Sequence, residues 1–169
     1  MPAYSFQQRF VPFVEDGSKG HTIRQRRTKG FAKKGDTIYL YYGLRTAQCR
    51  KLAVSICTDA VSIAISPQGR VYLFNQRLND ADAAAVAADL KNERLPSPAD
   101  RSLTWHLLGQ QQKDTLAWDD GFRDDNYRHF RRGVNYFSIM LRWWSMTHEL
   151  PFVGDIIYWD TNNLIKPNK

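Results

Sequence analysis

The 169-residue chain has only two cysteines and four histidines. Cys49 and Cys57 lack CxxC spacing and need not pair, which fits a reducing compartment. His21, His106, His129 and His148 are scattered, so the convergent ligand set of a zinc centre is not in view, and no metal or cofactor is expected. No run approaches the roughly 18 consecutive apolar residues of a membrane span, so no membrane partner is expected. The opening MPAYSFQQRF lacks the apolar centre of a secretory signal, and a cytoplasmic protein is expected. There is no internal repeat and no low-complexity segment beyond one alanine-rich stretch. What remains is 43% hydrophobic, enough at this length for one core and a single domain over 1–169.

Acid is the other thing in short supply, and its scarcity is local. The stretch GSKGHTIRQRR (17–27) holds a lysine, a histidine and three arginines with no acid. Between Ser18 and Thr58 ten Lys or Arg face a single acid, Asp36, so this segment carries +9 of a net +7 and the rest sums to −2. Self-repulsion of that kind is relieved by a polyanion or by salt. Nucleic acid is the usual partner, because each phosphate contact releases counterions; a solubilising surface is the alternative. Arg24, Arg26, Arg27, Lys33, Lys34 and Arg45 are the candidate phosphate contacts. Phe31, Tyr39, Tyr41 and Tyr42 are interleaved with them as rings that stack on bases or enter the core. Tyr42 and His21 are carried as candidate contacts too.

Strand patterns predominate along the chain. AYSFQ (3–7) and DTIYLYY (36–42) are rich in aromatic and β-branched residues. KLAVSICT and VSIAIS alternate with period two, and PQG then turns into RVYLFN, so a meander is expected over 51–75. NDADAAAVAADLKNE reads as a helix capped by Asn79, and the proline-bearing ERLPSPADRS as a flexible loop. DDNYRHFRRGVNYFSIMLRWWSM is apolar at helical spacing through Tyr127, Phe130, Val134, Phe137, Met140 and Leu141, giving a helix over 124–146 bent near Gly133. FVGDIIYWD closes as a strand, and 161–169 forms a loosely held polar tail. Trp105, Trp143, Trp144 and Trp159 read as core or rim residues.

FQQRFVPFVEDGSKGHTIRQRR followed by KKGDTIYLYYGLRTAQCRKL resembles the ASCH domain of the PUA-like superfamily. A short helix ends at Gly-x-Lys, Thr-Ile-Arg follows, then a GD turn and a strand ending near Gly-x-Arg-Thr. Further on, LAWDDGFRD is similar to that family's Ala-x-x-Glu-Gly-Phe helix segment, and LPFVGDIIYW to its closing strand. The similarity covers about residues 4–58 and 115–160, with 76–112 as an apparent insertion. It implies an α+β fold: a mainly β PUA-like pseudo-barrel with surrounding helices, acting on RNA or a modified nucleotide.

The resemblance also implies chemistry. Similar amidohydrolases release the acyl group of N4-acylated cytidine with a lysine, a threonine and a glutamate. Lys19 and Thr22 match the first two, and Asp120 stands where the glutamate is expected, one methylene shorter. A desolvated lysine takes the proton of a threonine hydroxyl, which attacks the amide carbon, while the carboxylate protonates the leaving amine. Gly17 would let the chain leave a helix at positive φ and direct Lys19 to a cleft. Thr22, Arg24 and Arg26 share one face if this segment is extended. Plainer readings stand beside these. Lys19 is then a solvated turn residue, Thr22 an ordinary strand residue, Asp119 and Asp120 turn caps, Arg24 a structural ion-pair partner and His21 a surface histidine. Two alternatives to the amidohydrolase stay open: a non-catalytic RNA-binding module, and a ribonuclease in which Lys19, Arg24 and Arg26 stabilise phosphate charge. A nucleoside hydrolase needs one compact pocket, a polynucleotide binder an extended face.

Overall fold

The computed structural model describes residues 1–123, 131 and 133–167. In chain order it contains β1 (Ala3–Phe6), a 3-10 turn (Gln8–Phe10), α1 (Val11–Glu15), β2 (His21–Gln25), β3 (Thr37–Tyr42) and β4 (Arg50–Ile65). There follow β5 (Val71–Phe74), α2 (Asp80–Lys91), β6 (Trp105–Leu107), α3 (Gln110–Asp119), α4 (Tyr136–Thr147) and β7 (Phe152–Trp159). The described residues form a mixed α+β fold with four α-helices and a seven-stranded sheet. The strand path runs β1-β3-β4-β5-β6 without closing, and β7 pairs with β4 and β2. Among the described residues no helix is long and apolar enough to cross a membrane. Internal contacts divide the chain into two compact units: Met1–Thr22 with Arg27–Ala60 and Ile157–Lys169, and Ile23–Arg26 with Val61–Ile156.

In the first unit β1 pairs parallel to β3, Ala3 opposite Tyr39 and Phe6 opposite Tyr42. β3 pairs antiparallel to β4, with the register slipping between Leu40 and Tyr41, a bulge of the kind that re-aims side chains at a strand end. Period-two alternation buries Tyr4 and Phe6 from β1 and Ile38 and Leu40 from β3. Phe10, Val11 and Val14, from the 3-10 turn and α1, are buried as well. Pro12 sits in the first turn of α1, where its missing N–H costs nothing. The chain's end is pinned, contrary to the loose tail expected: Ile165 and Val54 exchange backbone hydrogen bonds of 2.9 and 2.8 Å. Residues 168 and 169 lie outside the described residues.

In the second unit β5 pairs with the end of β4, Ile63 opposite Leu73, and β6 adds outside it. α2 starts where expected. The Asn79 side chain accepts from the Asp82 N–H at 2.8 Å, and Asp80 and Asp82 lie in the first turn, favoured by the helix dipole. Ala83, Val86 and Leu90, spaced for one helical face, pack on Ala64, Tyr72 and Phe74. The loop after α2 is not free. Asp82 Oδ1 accepts from the Ala99 N–H at 2.6 Å, and Trp105 Nε1 donates to the Pro96 carbonyl at 2.9 Å. Asp155 on β7 is buried and accepts from Ser62 Oγ at 3.0 Å and Arg77 Nε at 2.8 Å, with Arg26 Nη1 3.5 Å away. Arg26 Nη2 also meets Asp80 at 2.9 Å.

Two sequence expectations change. The strands expected over 51–58 and 61–66 are one strand, because the polar Thr58-Asp59-Ala60 step stays extended: the Asp59 carboxylate satisfies the Ala60 N–H at 2.9 Å. Of the helix expected over 124–146, the described residues show α4 from Tyr136 and a non-helical stretch at 133–135. Gly133 has φ +85° and Asn135 caps the start by accepting from the Ser138 N–H at 2.8 Å. Its Tyr127 and Phe130 lie outside the described residues.

The Asp155 cluster yields a stability test. Removing one partner strands the buried charges of the others, so Asp155→Ala is expected to cost about 3 kcal/mol in urea unfolding. Asp80 is 66% exposed, and Asp80→Ala should cost under about 1 kcal/mol. Equal losses would mean that Asp155 does not hold the cluster.

Candidate functional site

The geometry around Lys19 begins with how α1 ends. The Asp16 N–H still donates to the Pro12 carbonyl at 2.9 Å. Gly17 then turns left-handed at φ +80°, a conformation open to glycine at no steric cost. The Ser18 N–H donates to Asp16 Oδ1 and the Lys19 N–H to the Phe13 carbonyl, each at 2.8 Å. The chain therefore reverses, and Lys19 enters the interior. It is 1% exposed, with Nζ 5.1 Å from the Phe10 ring centroid and 5.9 Å from that of Phe6. Ring faces attract an ammonium at this range. The solvated-turn reading of Lys19 is excluded.

β2 continues directly from this turn. His21, Thr22 and Ile23 are buried in succession, so both faces of the strand are covered. The Gly20 carbonyl accepts from the Trp159 N–H at 2.9 Å. The His21 ring lies 5.3 Å from that of Tyr158, and Trp159 sets its edge on Phe6 at 6.0 Å. His21 is thus an interior residue and not a surface one. Thr22, 4% exposed, is a buried strand residue, which suits both readings of it. Lys19, His21 and Thr22 are all buried and belong to the first unit.

Asp120 belongs to the second unit. It caps the C-terminus of α3, its N–H donating to the Leu116 carbonyl at 2.9 Å. Gly121 follows at φ +92°, and the Phe122 N–H returns to the Ala117 carbonyl at 2.9 Å, closing the helix. The segment read as helical therefore stops at Asp119, and the turn-cap reading of Asp120 is right for its backbone. Its side chain is nonetheless only 4% exposed. A carboxylate at a helix C-terminus opposes the dipole, and the last turn of α3 holds no basic residue. Burial of an acid there runs against local preference, as functional positions often do.

The basic residues do not form one stripe. The first unit holds eleven Lys or Arg against five acids, close to the whole net charge of the chain. Arg24 and Arg26 belong to the second unit, where Arg26 is held between Asp80 and Asp155. Arg50 pairs with Glu15. Arg27, Lys29, Lys33 and Lys34 precede β3, whereas Arg45 and Lys51 follow it. Six strand residues separate the two groups, on the order of 17 Å at 3.3 Å per residue. Arg27 reaches the Ala3 carbonyl at 3.4 Å and lies over the Tyr4 ring, and Lys33 over Phe31. Phe31, Tyr39, Tyr41 and Tyr42 are all half-buried, neither core nor fully offered.

A second cluster, missed from the sequence, lies where α4 meets β7 in the second unit. His148 stacks on Trp144 at 4.5 Å and 20°, with Phe152 at 5.5 Å. It helps line a cavity of about 380 Å³ with Gln25, Thr147, Glu149, Pro151, Phe152 and Val153. Only the helical spacing of Trp144 and His148 hinted at it. Cys57 is no nucleophile: burial, then the Asp36 charge, push its thiol up to about 11. Among the described residues no group of three or more His, Cys, Asp or Glu is arranged to hold a metal ion.

Burial, and secondarily the charge of Arg24, hold the His148 imidazole below the ordinary histidine range. The unfolded chain therefore takes up this proton first. Stability contributed by neutral His148 is complete above the ordinary histidine pKa and declines as pH falls through it toward the folded value. The urea midpoint of the native protein should fall on acidification across that window more than that of His148→Gln; parallel profiles would remove His148 from the effect. No protein-family model, curated protein or solved structure matches this chain.

Proposed function

We propose that the protein binds RNA or a modified nucleotide through its basic first unit and hydrolyses an acylated cytidine there, with Lys19 as base and Thr22 as nucleophile. On this reading the α+β fold is a PUA-like pseudo-barrel of the ASCH type. The observation that carries the proposal is the burial of Lys19 three residues from buried Thr22. Taking an ammonium out of water costs free energy that a merely structural turn would avoid by exposing it. An amine between aromatic rings, followed by a buried threonine on the next strand, suits transfer of a hydroxyl proton to nitrogen as the threonine oxygen attacks an acyl carbon. The tetrahedral centre then collapses, the N4 amine leaves with a proton, and water hydrolyses the acyl-threonine ester. Asp120 enters as proton donor to that amine through the resemblance alone. A ribonuclease using the same residues is the competing enzyme, and binding without chemistry the competing module; the charge of the first unit supports all three.

Incubation with N4-acetylcytidine and, separately, with labelled single-stranded RNA distinguishes them by product mass. Cytidine and acetate are expected. Lys19→Ala and Thr22→Ala should each lower turnover by about a hundredfold or more with the circular dichroism spectrum preserved. Asp120→Glu, which restores the residue of the resembled motif, should raise turnover if reach limits it. Full activity in both alanine variants would discard the catalytic assignment, and RNA fragments in place of cytidine would favour the nuclease.

Binding has its own prediction. Affinity for single-stranded RNA should weaken steeply with salt. Reversing Arg27, Lys33 and Lys34 to glutamate should remove most of it, whereas Arg45→Glu should remove less, because the group before β3 holds more cations. Arg26 is excluded from the set since reversing it would confront Asp80 and Asp155. Unchanged RNA affinity in the triple variant defeats the electrostatic reading.

A further inference from the structure

We infer that the cavity at the α4–β7 junction of the second unit is a binding site for a small primary amine in its ammonium form, separate from the Lys19 region. Four features of its wall favour a cationic hydrogen-bond donor. The first is the C-terminus of α4, a 12-residue helix with no basic residue in its last turn, whose dipole presents partial negative charge to the cavity residues Thr147 and His148. The second is Glu149, an exposed carboxylate at the cavity wall.

The third is the His148 ring. Thr147 Oγ1 lies 3.0 Å from the Trp143 carbonyl, 3.3 Å from that of Trp144 and 2.9 Å from His148 Nδ1. With the hydroxyl proton given to the carbonyls, Nδ1–H donates to Oγ1 and Nε2 keeps its lone pair in the neutral imidazole, and this is the tautomer the inference requires. The fourth is Gln25, whose amide oxygen accepts as well. Pro151, Phe152 and Val153 supply apolar wall for an alkyl chain. A volume of about 380 Å³ falls at the small end of ligand cavities, which run from roughly 300 Å³ upward. Arg24 opposes a cation, yet it is not among the residues lining the cavity, and burial first, then its charge, favour the neutral imidazole.

The test uses the intact protein and three probes of matched length: n-butylammonium chloride, n-butanol and sodium butyrate at constant ionic strength. The imidazole carbon–proton NMR signal of His148, assigned by its loss in His148→Gln, reports occupancy. Butylammonium should shift it saturably, and Glu149→Gln, a change at an exposed position, should weaken that binding about tenfold, as loss of a charge-assisted hydrogen bond does. Four results overturn the inference: no saturable shift, an equal response to butanol, a stronger response to butyrate, or unaltered affinity in Glu149→Gln. None of them bears on Lys19 or Thr22, so this site and the proposed hydrolase stand or fall separately.

Discussion

An ionisable group inside a protein must find something to replace its water, and this molecule solves that problem in two ways. Three buried carboxylates of the second unit are answered by donors. Asp82 takes the N–H groups at the end of the proline-bearing loop and caps α2's own start through Asn79. Asp114 on α3 takes the Phe137 N–H at the beginning of α4 at 2.9 Å, where the dipole favours an anion. Asp155 gathers Ser62 and two arginines. Each acid joins segments distant in sequence, and each has a structural reason for being inside. In the first unit the buried ionisable side chain is that of Lys19, and its surroundings include the rings of Phe6 and Phe10.

A carboxylate that closes a helix start or an arginine cluster is accounted for by the fold. Lys19 is brought inside by a sequence of local devices: a short helix, a left-handed glycine and an Asx-type hydrogen bond at Ser18. None of these requires the next side chain to be charged. A leucine at position 19 would fill the space between Phe6 and Phe10 at lower desolvation cost. Retaining an amine there is what makes its chemistry worth testing.

The local devices were legible in the sequence. Gly17, the Asn79 cap, the aromatic alternation of β3 and the closing β7 can each be read from a few neighbouring residues, and the structure has them where the pattern put them. What failed to show is what depends on distant partners. Thr58-Asp59 looks like a break between strands, yet the strand runs through it. The apolar period around Val134 suggests an unbroken helix, but Gly133 and the Asn135 cap interrupt it before Tyr136. The parallel pairing of β1 with β3 has no signature in either strand's own period. Burial of Lys19 was one of two readings because the Gly-Ser-Lys turn alone does not say what packs over it.

Charge shows the same limit most plainly. Counted along the chain, 18–58 is one basic block; in space its cations have different duties. Arg26 and Arg50 are spent on carboxylates, Lys19 is internal, Arg24 sits half-buried on β2, and Arg27, Lys29, Lys33, Lys34, Arg45 and Lys51 flank the two ends of β3. Electrostatic attraction of a polyanion depends on exposed cations within about a Debye length of one another, near 8 Å at physiological salt. The two ends of β3, some two Debye lengths apart, therefore act as separate contacts, and a single-stranded nucleic acid would have to span β3 to use both. The half-buried Tyr39 and Tyr41 on that strand lie along such a path. A ligand that touched only the Lys29–Lys34 side would gain affinity without reading anything, whereas one that crossed the strand could stack a base on the way.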